Sequence, residues 1–215
     1  MKNSVLKVLG ILVGAGICAQ SQAALISVSG PTSTLGGYAS IISAPADVRD
    51  DAAFNTAQQG FDENQGVTLS RNIQVDSGWI SMGTVVDSHM IFLNTGPGNA
   101  TTYNAHNDVT WVFDGDIIGV MSDFSGAYET ASTDLLGLAT STYPLTPFSA
   151  RGMEGADSYT IAGNMLTVSM AVTEPGDWIR VVTRATAVPE PSVMALMGIG
   201  LVGMGFAQKR RNRKG

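Results

Sequence analysis

Residues 158–172 read SYTIA, then GN, then MLTVSMAV. In the second arm Leu166, Val168, Met170 and Val172 alternate with Thr167, Ser169 and Ala171. That period of two belongs to a strand with one buried face. Gly163-Asn164 between the arms is a two-residue turn of the primed kind, whose twist matches that of the strands it joins. The stretch predicts a β-hairpin and sets the grammar for the rest of the chain: short strands, polar turns and one apolar face.

Upstream the same grammar continues. DVTWVF at 108–113 places Val109, Trp111 and Phe113 on one face. Asp114-Gly115 reads as a hairpin turn and IIGVM at 117–121 as its returning strand. Further strands are expected at 25–29, 38–43, 67–70, 73–75, 79–86 and 88–93, the last two separated by Asp87. The polar stretch 44–65 reads either as a short helix over 47–59 or as a long loop, and 94–107 as a loop rich in Gly, Asn, Thr and Pro. Residues 122–155 form a non-strand interval, with a helical turn at 132–138 capped by Ser132. WIRVVTR at 178–184 is the last strand. About ten short strands with turn signals every 8 to 12 residues predict an all-β chain, a single β-sandwich of jelly-roll type. No fixed-period repeat is present, which excludes a solenoid or propeller.

Both ends differ from this middle. Lys2 and Lys7 flank the start of an apolar run at 8–19, too short to span a bilayer and of the length of a signal h-region. Ser21-Gln22-Ala23 offers small residues where a signal peptidase reads, so passage through the Sec translocon and cleavage after Ala23 are expected. Ile17 before Cys18 does not fit a lipobox. Cys18 is the one cysteine of the chain and departs with the signal, so residues 24–187 hold together without disulfides.

That region, one domain of ordinary size, carries five arginines, no lysine and 17 of the 18 carboxylates, a net charge of −12 against −6 for the whole chain. Such a surface repels phosphate backbones and excludes nucleic acid as a partner. It favours solubility and attracts divalent cations.

Residues 188–215 hold three consecutive blocks. Pro189-Glu190-Pro191 comes first. The uncharged run VMALMGIGLVGMGFA follows at 193–207, and then Lys209, Arg210, Arg211, Arg213 and Lys214. The run is short of the roughly 20 residues of a typical span. Ser192 and Gln208 extend it, and the basic side chains snorkel to the headgroups and hold this end in the cytoplasm. Gly198, Gly200 and Gly203 spell a dinucleotide-binding pattern, but no strand precedes them; they serve better as small residues of a membrane helix.

The order of the three blocks resembles the PEP-CTERM sorting signal of Gram-negative bacteria, through Pro189-Glu190-Pro191, the helix 193–207 and Arg210-Arg211. The resemblance covers about an eighth of the chain. It implies export, anchoring in the inner membrane through 193–207, and cleavage near Pro-Glu-Pro by an exosortase-type transpeptidase. It also implies a producer of extracellular polysaccharide, which makes polysaccharide the partner to expect.

Catalytic constellations are sparse. There is no G-x-S-x-G, and His89 and His106 show no spacing that selects a Ser-His-Asp set. Asp87 and His89 share a strand face and, with His106 or Asp108, would suit a metal; hydrogen bonding within the sheet explains them equally. Calcium has the larger supply of candidate ligands: Asp62 and Glu63 in one loop, Asp114 and Asp116 at the expected hairpin, and Asp123 just after it. None fits an EF-hand, and solvated acidic loops are the alternative. Trp79, Trp111 and Trp178 lie in strand patterns, where core packing competes with stacking on sugars. The expectation is a non-enzymatic exported surface or matrix protein, associated with exopolysaccharide or biofilm and without a cofactor. A carbohydrate-binding module or carbohydrate-active enzyme on the same sandwich is the alternative.

Overall fold

The computed structural model describes residues 24–95 and 102–185. The expected signal peptide with Ala23, the stretch 96–101, and the tail with Pro189, Glu190, Pro191, the run 193–207, Arg210 and Arg211 lie outside them. The described residues are mostly β. In chain order they form β1 (Leu25–Ser29), β2 (Ser40–Ile41), β3 (Gln59–Asp62), β4 (Val67–Thr68), β5 (Ile73–Val75), β6 (Gly78–Ile80), β7 (Val85–Leu93), β8 (Asn104–Phe113), β9 (Ile117–Met121), α1 (Ala127–Leu136), β10 (Ser158–Ala162), β11 (Met165–Val172) and β12 (Asp177–Arg184). Among the described residues no helix is long and apolar enough to cross a membrane.

A four-stranded antiparallel sheet has the order β1-β8-β11-β10. The predicted hairpin forms its edge, with Ala162 opposite Met165 and Ser158 opposite Ser169. The alternation in β11 is real: Leu166, Val168, Met170 and Val172 are buried while the residues between them are partly exposed. A six-stranded sheet runs β2-β3-β7-β12-β9, with β4 also on β7. A separate pair, β5-β6, completes the strands.

Side chains from both large sheets meet in one apolar cluster. Trp111, Phe113, Leu166 and Val168 come from the first sheet, and Ile91, Leu93, Ile179 and Val181 from the second. Gly60 on β3 shows how close the approach is. A Cβ there would stand 2.6 Å from the Trp111 ring, so only glycine admits the indole. Trp111 and Trp178 are fully buried; Trp79 is 65% exposed on the β5-β6 hairpin.

The far face of the six-stranded sheet is covered as well. The β5-β6 pair and Leu136 of α1 close over Val86 and Val182. Loop residues Val48, Ala53 and Tyr143 pack with Phe61, Met90, Phe92 and Trp178. Strands β7 and β12 are therefore buried on both faces along almost their whole length.

Several expectations change. Asp114-Gly115 is not a hairpin turn. β8 and β9 lie in different sheets, and the chain crosses between them at the end of β12. A Cβ on Gly115 would come within 2.2 Å of the Arg184 carbonyl, so the glycine serves a close crossing. Asp87 does not divide two strands. It lies inside β7, where its Oδ1 accepts the Gly66 N–H at 2.6 Å. The loop expected at 94–107 ends in strand: β8 begins at Asn104, and Asn104, Ala105 and His106 are buried in it. Residues 44–65 form a loop ending in β3 rather than a helix. The helix begins at Ala127, and Ser132 is no cap: it is buried inside the helix, its hydroxyl donating to the Glu129 carbonyl.

Candidate functional site

The central polar group is a buried arginine. In β12, Arg180 follows Ile179 and so points to the face opposite the shared apolar cluster. There it meets Glu63, which directly follows β3, on the far side of β7 from β12. Arg180 Nε and Nη2 donate to Glu63 Oε2 and Oε1 at 2.6 and 2.7 Å, a bidentate pair with no solvent access. Its Nη1 donates to the Glu129 carbonyl and the Ser132 hydroxyl, which ties α1 to the sheet. Burial disfavours the charge, but Glu63 and then Glu129 more than offset it, so Arg180 titrates above even the usual arginine range. A second buried pair joins Arg151 to Glu129 at 2.9 and 3.0 Å, with the guanidinium 4.5 Å from the Trp178 ring.

Both histidines are fully buried and fully engaged. His89 Nδ1 donates to Asp62 at 2.7 Å, and Nε2 pairs with the Thr183 hydroxyl at 3.2 Å. His106 Nδ1 accepts the Gln58 N–H and Nε2 donates to the Pro31 carbonyl. Gln58 also accepts the Trp111 indole N–H at 3.0 Å. His89 thus ties three strands of one sheet together, and His106 ties β8 to the loops at Pro31 and Gln58.

The five acids read as calcium candidates are not brought together. Asp62 accepts from His89 and from the Leu25 N–H. Glu63 is committed to Arg180 and Ser88. Asp114 and Asp116 lie at the crossing between sheets, where the Asp116 carbonyl accepts the Arg184 N–H. Asp123 takes the N-terminus of α1: its two oxygens accept the Ala127 and Tyr128 N–H groups at 2.9 Å.

Among the described residues two other acidic groups converge instead, each with its carboxylate oxygens within 4.8 Å of one another: Asp50, Asp51 and Glu174, and Glu154, Asp157 and Asp177. The first is partly open to solvent. In the second, Asp177 is fully buried. Burial, and then the charges of Asp157 and Glu154, push the Asp177 carboxyl up to about 10. Asp157 lies 20 residues before Asp177, and only packing of the 150–157 loop against the start of β12 joins them. Trp178 N–H to the Arg151 carbonyl, 2.8 Å, is the seam. No local pattern announces that proximity.

Beside the second group an open cleft runs between the end of β9 and the start of β10. Phe124, Tyr128 and Tyr159 line it together with Asp76 and Asp157. Asp76 is held by the Tyr159 hydroxyl at 2.9 Å and by the Ser122 hydroxyl and N–H. Phe124 is 53% exposed at its rim.

Residues 187–211 match the family model of the PEP-CTERM protein-sorting motif. No curated protein and no solved structure matches the chain.

Proposed function

From a chain that carries the PEP-CTERM protein-sorting motif, and is thereby marked as an exported protein sorted by exosortase, we propose a non-enzymatic surface or extracellular-matrix protein associated with exopolysaccharide. The sorting motif carries this reading. The N-terminal run 8–19 with Ala23 supports a cleaved signal peptide, and 193–207 with Arg210 and Arg211 supports a transient inner-membrane anchor. The apolar cluster shared by the two large sheets supports a β-sandwich of jelly-roll type for the cargo. Two observations favour a structural role over catalysis. Both histidines have each ring nitrogen bonded inside the fold, and Glu63 and Glu129 are tied in bidentate arginine pairs. Groups so deeply buried present no atom to a substrate at the surface.

The test is replacement of Pro189, Glu190 and Pro191 by alanine in the native host. The variant is expected to accumulate at full length in the membrane fraction while the wild type is processed. Unchanged processing would break the sorting reading.

The cleft carries the second reading, a carbohydrate-binding surface. Phe124, Tyr128 and Tyr159 offer ring faces, and the aspartates beside them offer acceptors for sugar hydroxyls. The net charge of −12 directs it to neutral rather than anionic glycans. Co-sedimentation with neutral polysaccharide, weakened in Phe124→Ala, would support it; equal recovery of both proteins would retire it.

A further inference from the structure

We propose that Glu154, Asp157 and Asp177 bind one divalent cation of the calcium type between the 150–157 loop and the first residue of β12. The three side chains place a carboxylate oxygen each within 4.8 Å of the others. Three oxygens no more than 4.8 Å apart lie within about 2.8 Å of a common point, so a shift of a few tenths of an ångström brings all three to the roughly 2.4 Å of calcium coordination.

The strongest pointer is Asp177. It is fully buried, and neither carboxylate oxygen accepts a hydrogen bond from an N–H or from a Ser, Thr or Tyr hydroxyl; the side chain within reach is another carboxyl, that of Asp157. Glu154 Oε2, also buried, has no hydrogen-bond partner. Buried polar atoms without partners are rare in folded proteins because each forfeits its hydration. Asp157 differs: it accepts the Glu154 N–H at 2.9 Å and the Ala171 N–H at 2.8 Å. Those bonds fix its position and leave each oxygen a second lone pair for an ion.

No side chain supplies the missing positive charge. Residues 24–185 contain no lysine. Arg49, Arg71, Arg151 and Arg180 are paired with Asp47, Asp134, Glu129 and Glu63. Arg184 lies at the other end of β12 from Asp177, seven residues and about 23 Å along the strand. Two solutions remain: a proton shared between Asp157 and Asp177, or a cation. The all-oxygen donor set selects a hard ion, and the absence of nitrogen or sulfur ligands from the group disfavours zinc or copper. Water completes the coordination through the adjoining cleft, which Asp157 also lines.

The site would fasten the 150–157 loop to β12. The loop also positions Arg151, whose pair with Glu129 holds α1, so the ion acts on stability beyond its own ligands.

The full-length protein, purified in mild detergent and stripped with EDTA, is titrated with Ca2+ or Mg2+. Thermal unfolding and equilibrium dialysis supply the readouts. Binding of about one Ca2+ per chain is expected, with Tm rising roughly 3–10 °C at about 10 mM and a smaller rise for Mg2+. Glu154→Gln and Asp177→Asn are each expected to weaken Ca2+ at least about tenfold. Asp177→Asn, which imitates the protonated acid, should match the stripped wild type in Tm without metal. Should that variant fail to fold, Glu154→Gln, on the partly exposed loop, decides the case. No response of the wild type to either ion would establish the shared proton and overturn the proposal. So would a response retained in Glu154→Gln but lost in Asp50→Asn, or an equal response to Mg2+.

Discussion

The two large sheets share one core but meet their surroundings differently. The four-stranded sheet has one buried face, and β11 shows it as apolar residues in alternation with Thr167, Ser169 and Ala171. The six-stranded sheet is covered on both sides. β7 and β12 are buried almost throughout, yet they contain Asp87, Ser88, His89, Asp177, Arg180 and Thr183. A half-buried sheet leaves its polar residues to water. A doubly covered one must find each a partner inside the protein; helix α1 and the 47–66 segment supply most of them, and Asp177 is the exception. The difference teaches where substitutions will be felt.

The largest effect is expected on the doubly covered sheet. Arg180→Met removes the partner of Glu63 and strands its charge in a dry site, at a cost of about 3–5 kcal/mol in urea unfolding. Adding Glu63→Leu to that variant should recover much of the loss, since the unpaired charge goes with it. A double variant no more stable than the single one would show that the pair is valued for its bonds to α1.

Next comes the interface of the two sheets. Gly60→Ala puts a methyl group against the Trp111 ring and is expected to cost about 1–3 kcal/mol, with a shift in the indole environment visible in near-UV circular dichroism. An unchanged spectrum would mean the sheets separate more easily than their packing suggests.

The smallest effect belongs to the open face of the four-stranded sheet. Thr110 and Thr167 pair across β8 and β11 with hydroxyls 3.1 Å apart in a partly exposed position. Thr167→Ala should change stability by only about 0.2–1 kcal/mol. A loss comparable with that of Arg180→Met would erase the contrast between the sheets.

The same contrast explains which parts were legible. The 158–172 hairpin was readable because its register, turn and burial all follow from neighbours in sequence. β1, β5, β9 and the core of β12 were readable for similar reasons. β3 was not: QGFD has little β character, and it is a strand because it pairs with β7. Asp114-Gly115 has the letters of a hairpin, but Ile117 and its followers pair with β12 instead of β8. Ser132 has the chemistry of a cap, yet Asp123 caps the helix from four residues before it starts.

The candidate site was the least legible. Asp62, Glu63, Asp114, Asp116 and Asp123 stood out because they cluster along the chain; Asp62, Glu63 and Asp123 are committed to His89, Arg180 and the start of α1, and none of the five belongs to a converging group among the described residues. Glu154, Asp157 and Asp177 converge only after a loop closes on a strand.

The sequence by itself determined the terminal sorting motif, the charge balance, the absence of disulfides from residues 24–187 and the predominance of β structure. Composition, continuous motifs and a period of two are local properties, and no folding is needed to read them. Only the tertiary structure decided which strands share a sheet, which face of β7 and β12 is covered, and which carboxylates meet. Those outcomes depend on contacts between residues distant in the chain, and their energies come from burial and charge pairing, which exist only once the two sheets have closed on each other.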